Sequence, residues 1–258
     1  MPPATAAIRA IALNTFREAI RDRVLYLLLV FALIVIGVSR LLSLLTVGNE
    51  AKIIKDVGLA AISLFGVLIA VFVGVSLVYK EIEKRTVWTL LANPVRRWQF
   101  LAGKYVGLLA VLALNVGLMS AGLLGLLLLR GEPPWSLIPA IVLILVEMAI
   151  VTAFALLFSS LTNPVLASVW TFAVYVMGHL AWSLKLLKER VPDGVSRLVC
   201  DAVYWLLPNL DRLNVKAEAV HGLDLPPGYL FFALLYGLAY AAIVFALACL
   251  AFERKDFL

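Results

Sequence analysis

The sequence predicts an all-helical polytopic membrane protein with six transmembrane helices and an amphipathic helix ahead of the first. Three observations carry that expectation. Of the 258 residues, 64% are hydrophobic and only 15% charged, with a mean hydropathy of +1.03, whereas soluble domains are roughly half apolar and about a quarter charged. The apolar residues gather into six runs of the length, about twenty residues, at which a helix crosses the hydrocarbon core. Those runs are continuous Leu, Ala, Val and Ile, without the alternation that the strands of a membrane barrel require.

Residues 5–23 come first. Ile8, Ile11, Ala12, Thr15, Phe16, Ala19 and Ile20 recur at three- and four-residue steps, while Arg9, Asn14, Arg17, Glu18, Arg21 and Asp22 fall mainly elsewhere around the helix. Such a helix can lie in the cytoplasmic interface on its Phe16 side, with Arg17, Arg21 and Arg23 reaching headgroups or a partner. A plain lead-in to the first span is the simpler alternative. The spans follow near 24–45, 57–79, 101–129, 137–158, 165–182 and 229–252, all within one transmembrane domain. The first run is long, begins after a charged segment and lacks a small-residue cleavage site leading into a soluble domain, so it is expected to remain in the mature chain.

Lys and Arg in short flanks favour the cytoplasmic side. Arg9, Arg17, Arg21 and Arg23 precede the first span; Lys80, Lys84, Arg85, Arg96, Arg97 and Lys104 lie around the segment 80–100; Arg254 and Lys255 follow the last span. With six spans all three groups fall on one side, so both termini and residues 80–100 are expected in the cytosol and residues 183–228 outside. The net charge of +6 and pI near 9.4 are then a topology signal and an attraction to anionic lipid. No nucleic-acid partner is expected.

Segment 80–100 is the most charged stretch. Lys80 to Arg85 carry the second span out of the membrane, Thr86 can cap a short helix Val87–Ala92, and Asn93-Pro94 stops it. A short helix between two long ones presents Val87, Trp88, Leu90 and Leu91 to something outside the bilayer core. An apolar turn without a core of its own suits a protein partner, although Trp88 would also suit a lipid surface.

The pattern Glu81-x-Glu83-Lys84-Arg85-Thr86, Leu90-Leu91, Asn93-Pro94-Val95-Arg96-Arg97-Trp98, Phe100-Leu101, Gly103-Lys104 resembles the cytoplasmic loop of integral-membrane permease subunits of ABC exporters. It is most similar to the NosY-like branch, the permeases linked to multicopper-enzyme maturation. The likeness extends to Phe16–Arg23, to Leu207–Asn214 and to the tail Phe252–Phe257. It implies a type V ABC-exporter-like fold in a prokaryotic cytoplasmic membrane. It also implies a second permease copy, identical or related, and two copies of a separate cytosolic ABC ATPase that touch Glu81, Arg85, Thr86, Trp88, Leu90 and Leu91. ATP and Mg would be bound by that ATPase and no cofactor by this chain. Gly103-Lys104 is the only Gly-Lys pair, yet Tyr105 stands where a phosphate-binding loop needs Ser or Thr, and Trp98 where it needs its first Gly. The chain is therefore expected not to be an enzyme. Gly66, Ala70 and Gly74, spaced four apart, permit close helix approach, either within one subunit or between two.

Within the membrane, Glu147 falls near the middle of the fourth span, where a carboxylate costs several kcal/mol unless it is paired, protonated or facing water. It is the candidate pathway residue, with a partner expected from another span or subunit; a satisfied structural carboxyl is the alternative. His179, His221, Cys200, Cys249, Met119, Met148 and Met177 are scattered and show no metal-ligand spacing, so no metal site is expected. Residues 183–228 read as short helices over the outer mouth of the bundle, able to meet an extracytoplasmic accessory protein or simply to cover the path. The function expected is a permease exporting a substrate under ATP control. A membrane-embedded lipid-modifying enzyme and a non-transporting anchor or assembly factor are the alternatives.

Overall fold

A computed structural model describes residues 4–43, 50–83, 96–180 and 207–254, and within these every regular element is helical. The helices are α1 (Ala4–Ile20), α2 (Arg23–Ser43), α3 (Glu50–Glu83), α4 (Arg97–Leu128), α5 (Ile138–Leu161), α6 (Pro164–His179), α7 (Lys216–His221) and α8 (Tyr229–Glu253), with 3-10 turns at Trp135–Leu137 and Leu210–Leu213. Four of them, α3, α4, α5 with its leading turn, and α8, are each long and apolar enough to cross a membrane. The pair α1 and α2 passes the same test jointly with a 63° bend between them, and α6 is apolar but shorter, with 16 residues.

Local chemistry sets the breaks. At the end of α1 the backbone tightens, Arg21 N donating to Glu18 O and Asp22 N to Ala19 O, and the Asp22 carboxylate then accepts from Val24 N at 2.9 Å to start α2. Between α5 and α6, Thr162 is extended, Asn163 accepts from Leu166 N at 2.9 Å, and Pro164 occupies the first turn, where its missing N–H costs nothing. α3 begins at Glu50 rather than near Val57. Its first turns bury Ile54 and carry the Glu50 carboxylate that meets Arg130 at 2.8 Å, so packing and pairing extend the helix beyond its apolar run.

α5 is apolar on all sides and sits at the centre, against α3, α4, α6 and α8. The outer surfaces are apolar as well: Leu27, Val30 and Phe31 on α2, Val169 and Trp170 on α6, and Phe231, Phe232, Leu238 and Ile243 on α8 are all exposed. Exposed apolar area on this scale is what a helix bundle offers to lipid. The chain is an all-α polytopic membrane protein.

Its two ends differ. The proximal end gathers α1, the start of α4 and the end of α8, where Arg97 Nη1 donates to Glu253 O at 3.0 Å and Phe100 stacks on Phe252 with centroids 6.1 Å apart. The distal end gathers the start of α3, the end of α4, α7 and the end of α6. The Gly66, Ala70, Gly74 ladder serves packing within the chain: a methyl group on Gly66 would lie 3.2 Å from Met148 Sδ and one on Gly74 3.4 Å from the Ala155 methyl, both on α5.

α1 does more than lie alongside the bundle. It crosses α4 at Gly103 and Gly107, where a methyl group would meet Ile11 Cβ at 2.6 Å and Ala12 O at 2.7 Å respectively. Thr15 and Ala19 are buried in that contact, Phe16 is half-buried, and Arg17, Arg21 and Arg23 remain exposed. The apolar stripe read from the sequence as an interfacial face is thus spent in part on a protein contact.

Candidate functional site

Glu147 stands nine residues into α5, about 14 Å along the axis from Ile138, and only 1% of its side chain is exposed. Its partner comes from the neighbouring span. Glu147 Oε1 lies 2.5 Å from His179 Nε2, in the last turn of α6. The pairing follows from the tight α5–α6 turn: 147 and 179 are nearly equidistant from Thr162-Asn163, so an antiparallel hairpin brings them level. The second carboxyl oxygen, Oε2, has no hydrogen-bond partner among the described residues. Thr152 and Ser160, the hydroxyls nearest in sequence, donate instead to carbonyls of their own helix, Met148 O and Leu157 O.

The pair belongs to a larger polar group at the distal end. Tyr175, one turn before His179, packs edge-on against its ring at 4.8 Å, and its hydroxyl is 3.4 Å from Ser63 Oγ on α3. Lys216, at the start of α7, is partly buried within reach of the Glu147 and Asp56 charges. Loss of water pulls its ammonium below the ordinary lysine range, against the opposing pull of those two carboxylates. The turn Leu210–Leu213 is seated on the same hairpin, since a methyl group on Gly178 would lie 2.8 Å from Leu210 Cδ1 and 2.9 Å from Pro208 O.

A second charged group occupies the proximal end. Lys104 is fully buried beneath α1, with its Nζ 3.6 Å from Glu18 Oε2 and 5.9 Å from the centre of the Phe100 ring. The predicted ATPase contact continues from this end. Glu81 falls in the last turn of α3, which ends at Glu83. Arg85, Thr86, Trp88, Leu90 and Leu91 lie outside the described residues.

Two of the surface grooves bear on the site. One, of about 520 Å³, runs between α1 and α4 past Ile8, Leu13, Phe16 and Val106, with Arg9 beside it. The other, of about 750 Å³ at the distal end, is lined by Glu50, Lys52, Lys55, Arg130, Glu132 and His221. Neither is lined by Glu147. Among the described residues no three His, Cys, Asp or Glu side chains come together as a metal site, and Cys249 is a free thiol on α8; Cys200 lies outside the described residues.

Sequence reading singled out Glu147 and missed His179 as its partner and Lys216 as its neighbour. The hairpin symmetry about Asn163-Pro164 was available to find the first. Nothing local marks the second, because Lys216 is 37 residues beyond His179 in the sequence.

No curated protein gives a match to the chain. The family model for ABC-2 family transporter proteins matches residues 9–257, from α1 to the last residues of the chain. A match of that extent covers the bundle, both polar groups and the residues between α3 and α4, and shows that the chain belongs to the ABC-2 transporter family and is a membrane permease subunit of an ABC transporter rather than its ATPase.

Proposed function

We propose that this permease exports its substrate across a prokaryotic cytoplasmic membrane, driven by two copies of a separate cytosolic ATPase that dock on the loop 80–100. The observation that carries the reading is the family match across residues 9–257 in a chain whose one Gly-Lys pair lacks the rest of a phosphate-binding loop. The ATPase, with its ATP and Mg, is then a partner, and Glu81, Arg85, Thr86, Trp88, Leu90 and Leu91 form its contact.

The proximal end, rich in Arg and holding the cross-ties from α4 to α1 and α8, faces the cytosol in this reading. Movement of the loop would reach the bundle through Arg97 and Phe100, at its C-terminal end. A second permease copy, identical or related, completes the pathway. With the Gly66 to Gly74 ladder occupied by α5, that copy must use another apolar face, and the polar distal groove is the surface for an extracytoplasmic accessory protein.

The test is purification from native membranes in mild detergent with mass spectrometry of what remains bound. A phosphate-loop ATPase in equal amount, lost from Trp88→Asp and Leu91→Asp variants, is the expected result. Retention of the ATPase by both variants would remove the loop from the interface, and its consistent absence would return an anchor or a lipid-modifying enzyme to the front.

A further inference from the structure

We infer that Glu147 and His179 form a buried proton-binding site at the distal end of the α5–α6 hairpin, and that proton uptake there loosens the seat of the segment Pro208–His221. The inference rests on the pair's own geometry and does not depend on the cargo or on the ATPase.

A carboxyl and an imidazole 2.5 Å apart share one hydrogen-bond axis, and the axis can hold a proton on either atom. Glu147 Oε2 is buried and has no hydrogen-bond partner among the described residues. An ionised carboxylate in that position gives up the hydration of one whole oxygen, a cost that protonation of the carboxyl lowers and a positive charge on the imidazole offsets. The site can therefore take up a proton without rearranging, and the His179 side chain, 21% exposed, is its open edge.

Other groups facing the pair set the sign of the effect. From α3 come Asp56 and Ser63, from α6 Tyr175, and from α7 Lys216. From α4, Tyr105 donates to Ala149 O. α8 meets Val146 with the bare backbone of Gly237, and its Tyr236 hydroxyl is taken up by Asn209 N. Asp211 and Arg212 of the 3-10 turn are exposed, the Arg212 guanidinium lying 5.4 Å from the centre of the Tyr236 ring. Lys216 is thus the cation on the segment that senses the Glu147 charge. With the pair deprotonated, its negative charge offsets part of the cost of holding Lys216 out of water. A proton on the pair cancels that charge, leaves only the exposed Asp56, and favours withdrawal of Lys216 to solvent together with α7. The adjoining turn follows, because it is seated on Gly178, the residue next to His179.

The purified chain in lipid nanodiscs, titrated from about pH 9 to about pH 5, supplies two readouts. Infrared difference spectra are expected to show a carboxyl or labelled-imidazole signal that titrates, and that is lost or displaced by at least about one pH unit, the mark of coupled groups, in both Glu147→Gln and His179→Gln. Hydrogen–deuterium exchange over residues 208–221, corrected for the chemical pH dependence, should be several-fold faster at the acid end. Glu147→Gln should exchange fast at both ends and Lys216→Met slowly at both. A signal unchanged in the two variants, or corrected exchange independent of pH in the wild type, overturns the inference. Should Glu147→Gln fail to fold, His179→Gln and Lys216→Met decide it alone.

Discussion

At residue scale, the Glu147–His179 bond is a dependence more than a gain. Two polar groups withdrawn from water stabilise a fold little relative to apolar replacements, while removal of one partner strands the other. His179→Leu is therefore expected to destabilise the protein by about 3 to 5 kcal/mol, and the double variant Glu147→Leu with His179→Leu to recover most of that loss. Thermal melts of the four members of this cycle in detergent check it; an additive double variant would mean that the two side chains act separately. Lys216 gives a second prediction with a pH sign. Its ammonium is held below the ordinary value of 10.5 in the fold, with burial the larger cause, so the charged form is penalised below that folded value. The penalty fades as pH rises from there toward 10.5. Lys216→Met should raise the melting temperature at neutral pH and flatten the alkaline rise in stability that the wild type shows. Glu147 was legible from the sequence because an acid inside a long apolar run stands out. His179 has no periodic signature of its own, and only the symmetry of the hairpin about Asn163-Pro164 points to it.

Among the elements, α1 and α4 show how a small-residue spacing turns a surface helix into a packed one. Gly103 and Gly107 lie one turn apart on one face of α4, and both would drive a methyl group into α1, the second into a backbone oxygen that cannot move aside. Gly107→Val should cost about 1 to 3 kcal/mol as overpacking and expose α1 to limited proteolysis. Gly117→Ala on the same helix, with open space around it, should be neutral or slightly stabilising through helix propensity. Equal protease sensitivity in the two variants would mean that α1 is held by something other than this crossing. The amphipathic pattern of residues 5–23 was read correctly as a helix, but pattern alone does not say whether an apolar stripe meets lipid or protein. The Gly103-x-x-x-Gly107 spacing is the signal in the sequence that favours protein. The same ambiguity attended Gly66, Ala70 and Gly74, which pack on α5.

For the whole molecule, α2, α6 and α8 carry a belt of exposed Leu, Phe, Val and Trp, and the proposed function sets a second copy against such a face and the ATPase at the proximal end. Native mass spectrometry from mild detergent should return assemblies containing two permease copies and two ATPases. Monomeric permease bound to a single ATPase across detergents would argue against a paired pathway. The sequence by itself determined the solvent, the helical class, most of the long apolar helices and the place of the buried acid, because hydrocarbon demands long continuous apolar runs and internal backbone bonding, both local properties of the chain. Only the tertiary structure decided which faces meet protein, that Glu147 is held by His179, and that Lys216 returns to sense it. Those pairings join residues far apart in sequence, and they depend on hairpin register and close backbone approach, which no local pattern encodes.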